Sequence, residues 1–240
     1  MTLHCVKYIL HSFEADLGAH AATARRALER THILSPAGPR IGPNAVLQTL
    51  AALEELEGPR TADRVRAAAR LPTDWPEGLI PEAWFLETIR ATRAQLSAEA
   101  AEAILREAGD RTAAYVAAHR IPRPFRAVLG WLPARLAVPL LLKAFEKQAW
   151  TFAGRGSFAV EGAYPGVIRL GDCPTCRDPF ATDHGGAYYE GAFAGLLRLA
   201  APDVSVREIA CLTQGAPACR FRIHLSAPAP TPGDSPCASS

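Results

Sequence analysis

The sequence has no apolar run near the roughly 18 residues that a membrane-spanning helix needs, so no such helix is expected. It also lacks a concentrated basic block. With a formal net charge of +2, this argues against a nucleic-acid partner held by phosphate neutralisation. Lysine is scarce: Lys7, Lys143 and Lys147 are the only ones, and every other basic residue is arginine. A GC-rich genome accounts for that bias, and the alternative is that some arginines grip carboxylates through their planar fork. The start, MTLHCVKYILHSF, is interrupted by His4, Lys7 and His11 and lacks a small-residue cleavage site. No secretory signal is therefore expected, the chain reads as cytoplasmic, and its six cysteines are expected to be thiols or ligands rather than disulfides.

Chemistry-bearing motifs are missing as well. There is no phosphate loop, no GxSxG elbow and no HExxH. GRGSFA matches Gly-x-Gly-x-x-Ala, but it follows a helical pattern and enters a strand pattern, the reverse of the dinucleotide fingerprint. No nicotinamide (NAD) or flavin motif is found.

What is present is an ordinary globular composition, 49% hydrophobic and 21% charged, sufficient for a sizeable core. The first two thirds carry helical periodicity. GPNAVLQTLAALEELEGPR repeats apolar Val46, Leu50 and Leu53 between Gly42-Pro43 and Gly58-Pro59, with Asn44 as the expected N-cap. TADRVRAAARL reads as a short helix capped by Thr61, and PEAWFLETIRATRAQL as a third, with Trp84, Ile89 and Leu96 directed inward. Ser97 caps the next, in which Gly109 marks an expected break. PARLAVPLLLKAFEKQAWTFAG is the most apolar, with Pro139 expected to kink it or set its start.

After Gly154 the period changes. SFAVEG and GVIRLGD form one expected hairpin, DVSVREIAC and ACRFRIHL another around Gly215, with a helix capped by Asp183 between them. The predicted fold class is α+β, a helical N-terminal block packed on an antiparallel sheet of about four strands. The expected organisation is an N-terminal helical extension over residues 1–40, one α+β domain over 41–225, and a disordered tail over 226–240. Cys237 in that tail is a poor ligand.

Symmetric pairing of the last two strands about residues 212–218 sets Cys211 opposite Cys219, Ile209 opposite Phe221 and Arg207 opposite Ile223. Alternation then buries Ile209, Cys211, Cys219, Phe221 and Ile223 on one face and turns Glu208 to the other, unless the strand ends or bulges between Glu208 and Cys211. A second cysteine pair, Cys173 and Cys176 in CPTC, follows a strand directly, and His184 lies nearby. The spacing leaves three readings open: structural zinc, unmetallated thiols, or an iron–sulfur cluster.

RIGPNAVLQTLAAL, LKAFEKQAWTFAGRGSF and EIACLTQGAPACRFRI, in this order, resemble the bacteriochlorophyll 4-vinyl reductase family (BchJ), whose C-terminal half, here about residues 150–225, is the 4-vinyl reductase domain. The resemblance runs from about Arg40 to Leu225 and is most specific in Glu-x-x-Cys-x7-Cys-Arg-Phe. It implies a fold similar to nitric-oxide sensors and vesicle-tethering subunits. In sensor relatives the matching Glu, Cys and Cys bind zinc with an upstream Cys, which implies Glu208, Cys211 and Cys219 as ligands here. No cysteine stands at the upstream position, where Thr182 and His184 lie instead, so Cys173, Cys176 and His184 compete for the fourth place.

The family name implies reduction of the C8 vinyl group of a divinyl chlorophyll precursor, position 4 in older numbering. Hydride transfer needs a bound donor, and the sequence offers no motif for one. The resemblance therefore implies a protein that binds a Mg-tetrapyrrole of the divinyl protochlorophyllide type and presents it to pathway enzymes, with the vinyl reductase as alternative. A third reading is an interaction module that docks or forms a homodimer. Trp150, Phe152, Tyr188, Tyr189 and Phe193 are the expected walls of an apolar slot, Arg155 or Arg169 meets a pigment carboxylate, and His119 or His184 ligates magnesium. An apolar cargo also implies a location peripheral to the photosynthetic membrane.

Overall fold

The computed structural model describes residues 38–177 and 185–225. The expected N-terminal extension and tail, with Thr182, Asp183, His184 and Cys237, lie outside the described residues, apart from 38–40.

Helix α1, Asn44–Glu57, buries Val46, Leu50 and Leu53 as its periodicity requires. Its N-cap is Pro43 rather than Asn44, which is already helical. Helix α2, Pro59–Ala68, starts earlier than expected because Pro59 is preorganised for the first turn. Thr61 therefore does not cap it, and its hydroxyl donates back to the Glu57 carbonyl at 3.2 Å. Two short strands, β1 (Arg40–Ile41) and β2 (Ile80–Pro81), pair antiparallel and lead into α3, Glu82–Gln95. There Phe85 and Ile89 are buried, while Trp84 and Leu96 only pack against the core.

Helix α4, Ala98–His119, begins at Ser97, whose Oγ accepts from Ala100 N. It runs through Gly109 unbroken, because that glycine serves a close crossing with α7 (Ala187–Leu197). A Cβ on Gly109 would press into the Tyr188 carbonyl and sit 2.7 Å from Ala192 N, and one on Gly191 would press into the Arg106 carbonyl. Two backbones in contact leave no room for side chains between them. Helix α5, Arg123–Trp131, was not legible as a separate element and precedes α6, Ala134–Gln148, which contains Pro139 and buries Ala137, Val138, Leu141, Leu142 and Phe145.

The sheet is formed by β3 (Ser157–Glu161), β4 (Val167–Gly171), β5 (Val204–Ala210) and β6 (Cys219–Leu225) in the order β3-β4-β6-β5, antiparallel throughout. Its inner face carries Phe158, Ile168, Leu170, Val204, Val206, Phe221 and Ile223 against the helices. On its outer face Arg169 stands opposite Arg220 and Arg207 opposite Arg222, a basic grouping that the linear sequence disperses. The fold is a helix-rich block on a four-stranded antiparallel sheet, the predicted class.

Candidate metal centre

The β5–β6 hairpin does not keep the symmetric register. Glu208 pairs with Phe221, Arg207 with Arg222 and Val206 with Ile223, and a bulge falls between Glu208 and Ala210. The bulged Ile209 is pushed outward and is 39% exposed, not buried opposite Phe221. One extra residue reverses the alternation beyond it. Val204, Val206 and Glu208 face inward up to the bulge, and Cys211 is turned inward after it. Glu208 and Cys211 thus lie on the same side, which a regular strand forbids.

Four donors converge there: Cys176, Glu208, Cys211 and Cys219, with ligand atoms within 4.8 Å of one another. Cys176 Sγ is 3.4 Å from both Cys211 Sγ and Cys219 Sγ, and the latter two are 3.9 Å apart. A tetrahedral zinc with Zn–S near 2.3 Å requires thiolates about 3.8 Å apart, so the donor set fits such an ion. Soft thiolates with one carboxylate also suit zinc by ligand type.

The surroundings stabilise negative charge. Thr175 Oγ1 lies 3.3 Å from Cys173 Sγ and 3.6 Å from Cys176 Sγ, and Thr213 Oγ1 lies 3.1 Å from Cys211 Sγ. Leu212 N donates to Cys219 Sγ at 3.5 Å, and Gly186 N donates to Glu208 Oε2 at 3.2 Å. Gly186 stands at the positive end of α7, which favours an anionic cluster. Gly185 and Gly186 are needed for the approach, since a Cβ on Gly185 would strike Cys176 Sγ and one on Gly186 would sit 2.6 Å from the Glu208 carboxyl carbon.

Thiol hydrogen bonds from Cys173, Cys211 and Cys219 hold Cys176 far below the usual thiol range. Cys173 is pushed up by burial, Cys219 by its hydrogen bonds to the neighbouring sulfurs, and Glu208 by burial and then by the charge of Cys176. Without a cation, one thiolate shared among protonated neighbours is what this cluster sustains; a divalent cation allows all four donors to ionise together.

Cys173 is buried beside the cluster but outside the four-donor group. The turn that carries Cys176 is anchored by Arg177, which is buried and ion-paired to Glu82 at the start of α3. Its Nε also contacts Asp172 Oδ1 at 2.9 Å. Glu190 on α7 accepts from Glu208 N at 2.8 Å and from Arg106 at 2.8 Å, fixing the strand next to the bulge. Sequence reasoning missed Arg177, Glu82, Glu190 and the Gly185–Gly186 pair. The one local signal was two glycines before a helix, which mark close backbone approach.

The expected tetrapyrrole-binding residues divide. Phe152, Tyr188, Tyr189 and Phe193 join one ring cluster with Phe145, Phe158 and Phe221, Tyr189 stacking on Phe193 at 5.6 Å. Tyr189 donates to the Phe152 carbonyl at 2.9 Å and Tyr188 to Thr112 at 3.1 Å. Trp150 and Phe152 are half-buried at the edge of this cluster, and exposed Arg155 is 2.8 Å from Asp172. Arg169 lies on the outer sheet face, 3.6 Å from Glu161, and His119 stacks on Tyr115 in the exposed last turn of α4. The structure does not bring these two to the ring cluster.

The 4-vinyl reductase domain family matches residues 167–225, a span that contains all four converging donors. The fold is similar to that of the H-NOX protein from K. algicida at a TM-score of 0.54 and 10% identity, covering 78% of this chain and 98% of that one. A mutant of the same protein gives the same TM-score at 11% identity. In sequence, the chain is 40% identical over 190 residues to the bacteriochlorophyll synthase 23 kDa chain of Cereibacter sphaeroides, covering 77% of this chain and 90% of that protein. It is 37% identical over 189 residues to the protein of the same name from Rhodobacter capsulatus, covering 78% and 87%. With this identity over nearly the whole length of those relatives, the chain belongs to the family of bacteriochlorophyll synthase 23 kDa chains (BchJ).

Proposed function

We propose that this protein is an accessory chain of bacteriochlorophyll biosynthesis that binds a Mg-tetrapyrrole of the divinyl protochlorophyllide type and hands it to pathway enzymes. The observation that carries this reading is the burial of the donor set. Cys211 and Cys219 have no solvent exposure, Cys176 almost none, and four donors close the coordination sphere. A closed four-donor site supports a structural role, whereas a catalytic zinc keeps an open position. When bound, the ion cross-links the turn after β4 to the β5–β6 hairpin and neutralises the thiolates. Cys176, Glu208, Cys211 and Cys219 hold it, and Arg177, Gly185 and Gly186 set their positions.

The pigment lies against Trp150 and Phe152, where the aromatic cluster meets solvent, with Arg155 toward a carboxylate. Tyr188, Tyr189 and Phe193 form the floor beneath. A rigid aromatic floor with a half-open rim supplies apolar area and one charged anchor, which suits a flat macrocycle. Handling such a cargo also favours a place at the membrane surface.

The test is a titration of the purified, metal-analysed protein with divinyl protochlorophyllide, followed by absorbance, then by product chromatography with and without NADPH or reduced ferredoxin. Saturable binding with the vinyl group intact in both arms is the expected result, with at least tenfold weaker binding in a Trp150→Ala, Arg155→Ala double variant. Donor-dependent monovinyl product would replace the carrier reading with the reductase named by the family.

A further inference from the structure

Helices α5 and α6 meet at a corner that projects an apolar tip into solvent. Trp131, the last residue of α5, is 80% exposed, and Leu136, in the first turn of α6, is 60% exposed. The rest of both helices behaves conventionally: Phe125, Val128, Leu129, Ala137, Val138, Leu141 and Leu142 are buried. Trp131 and Leu136 are therefore not an ill-packed core but a separate feature, set by the turn between the helices.

Charge frames this tip. Between Arg120 and Trp150 the chain carries Arg120, Arg123, Arg126, Arg135, Lys143 and Lys147 against one acid, Glu146. Two of the chain's three lysines fall here. Arg123 is exposed on α5, eight residues or about 12 Å along the helix from Trp131. On α6, Lys143 is exposed and Arg135 half-buried, on either side of Pro139.

We infer that this corner is a membrane-docking surface: Trp131 and Leu136 enter the headgroup region of an anionic phospholipid bilayer while Arg123, Arg135 and Lys143 contact lipid phosphates. Area separates this occupant from a protein partner. A stable protein interface takes about 800 Å² from each side. One tryptophan and one leucine framed by bases fall well short, because an aromatic side chain buries only about 150–250 Å². A bilayer needs less, since a few inserted side chains add to roughly 1 kcal/mol per basic residue near an anionic surface. Tryptophan with an apolar ring and a polar N–H suits the interface depth, and arginine suits phosphate. The inference deepens the membrane-surface part of the function proposed above but does not require pigment binding.

The test is co-sedimentation of the full chain with vesicles of phosphatidylcholine alone or mixed with phosphatidylglycerol, at low and high salt. The expected result is binding to the anionic vesicles that weakens with salt. It should fall at least tenfold in Trp131→Ala, Leu136→Ser and in Arg123→Glu, Arg135→Glu, and not in Arg222→Glu on the sheet. Circular dichroism should show unchanged folding in both double variants, and pigment affinity in vesicle-free solution should match the parent. Absence of binding to anionic vesicles, or binding unchanged in both double variants, would overturn the inference, whatever the pigment titration gives. Loss in Arg222→Glu alone would transfer the docking role to the outer sheet face and overturn it equally.

Discussion

Gly109→Ala separates two physical effects by sign. In an isolated helix the change is stabilising by about 1 kcal/mol, because alanine loses less backbone freedom. At the α4–α7 crossing the new Cβ would sit 2.7 Å from Ala192 N and closer to the Tyr188 carbonyl, against an ordinary contact distance of 3.4 Å or more. The helices must part by at least about 0.7 Å, and both obstructing groups are backbone, so no side chain can rotate away. Overpacking of this kind costs typically 1–3 kcal/mol, and a backbone obstruction belongs at the upper end. The net expectation is destabilisation of about 2 kcal/mol, a fall in Tm of roughly 4–8 °C for a chain of this size. Gly130→Ala is the control: Gly130 lies in α5 with nothing within 4 Å of a new Cβ. It should gain up to about 1 kcal/mol. Differential scanning calorimetry on both variants decides the matter, and a Tm for Gly109→Ala at or above that of Gly130→Ala refutes the close crossing.

The remaining predictions concern the donor cluster. Metal analysis of protein purified without chelator should give about one zinc per chain, lost in Cys219→Ala and Cys211→Ala and retained in Cys173→Ala; retention in Cys219→Ala would break the assignment. Zinc affinity, measured by competition with a chromophoric chelator, should weaken as pH falls, since protons compete for thiols that the neighbouring sulfurs already push up at Cys211 and Cys219. An affinity flat with pH would mean that sulfur is not coordinating. Glu82→Gln leaves Arg177 buried without its ion pair and should cost about 3–5 kcal/mol in denaturant unfolding. A loss under about 1 kcal/mol, the range of an exposed pair, would show that this one does not anchor the turn.

The two hairpins, the helix between them and most of the helical block were legible, because periodicity and turn residues are local signals. The metal centre was legible in its residue types but not in its geometry. Glu208 and Cys211 are three apart, and regular alternation sends them to opposite faces; only the bulge at Ile209 reconciles them, and no local residue announces it. The choice of Cys176 over Cys173 depends on how a turn after β4 meets a hairpin 35 residues later, a long-range fact. Gly109 was misread for a related reason: a glycine that breaks a helix and a glycine that admits another helix look the same in one dimension. Arg177 and Glu82 are 95 positions apart, so their pairing had no signal at all.

The strand order carries a consequence for biosynthesis. β6 is the last described strand to leave the ribosome, yet it lies between β4 and β5. Until it emerges, β5 has no neighbour and the sheet consists only of the β3–β4 hairpin. Cys219, the first residue of β6, is also the last donor to appear, after Cys176, Glu208 and Cys211. Completion of the sheet and closure of the donor set are therefore one event, waiting on the same seven residues. A nascent chain released before β6 would retain three of the four donors and an unzipped sheet, able to capture an ion but not to bury it.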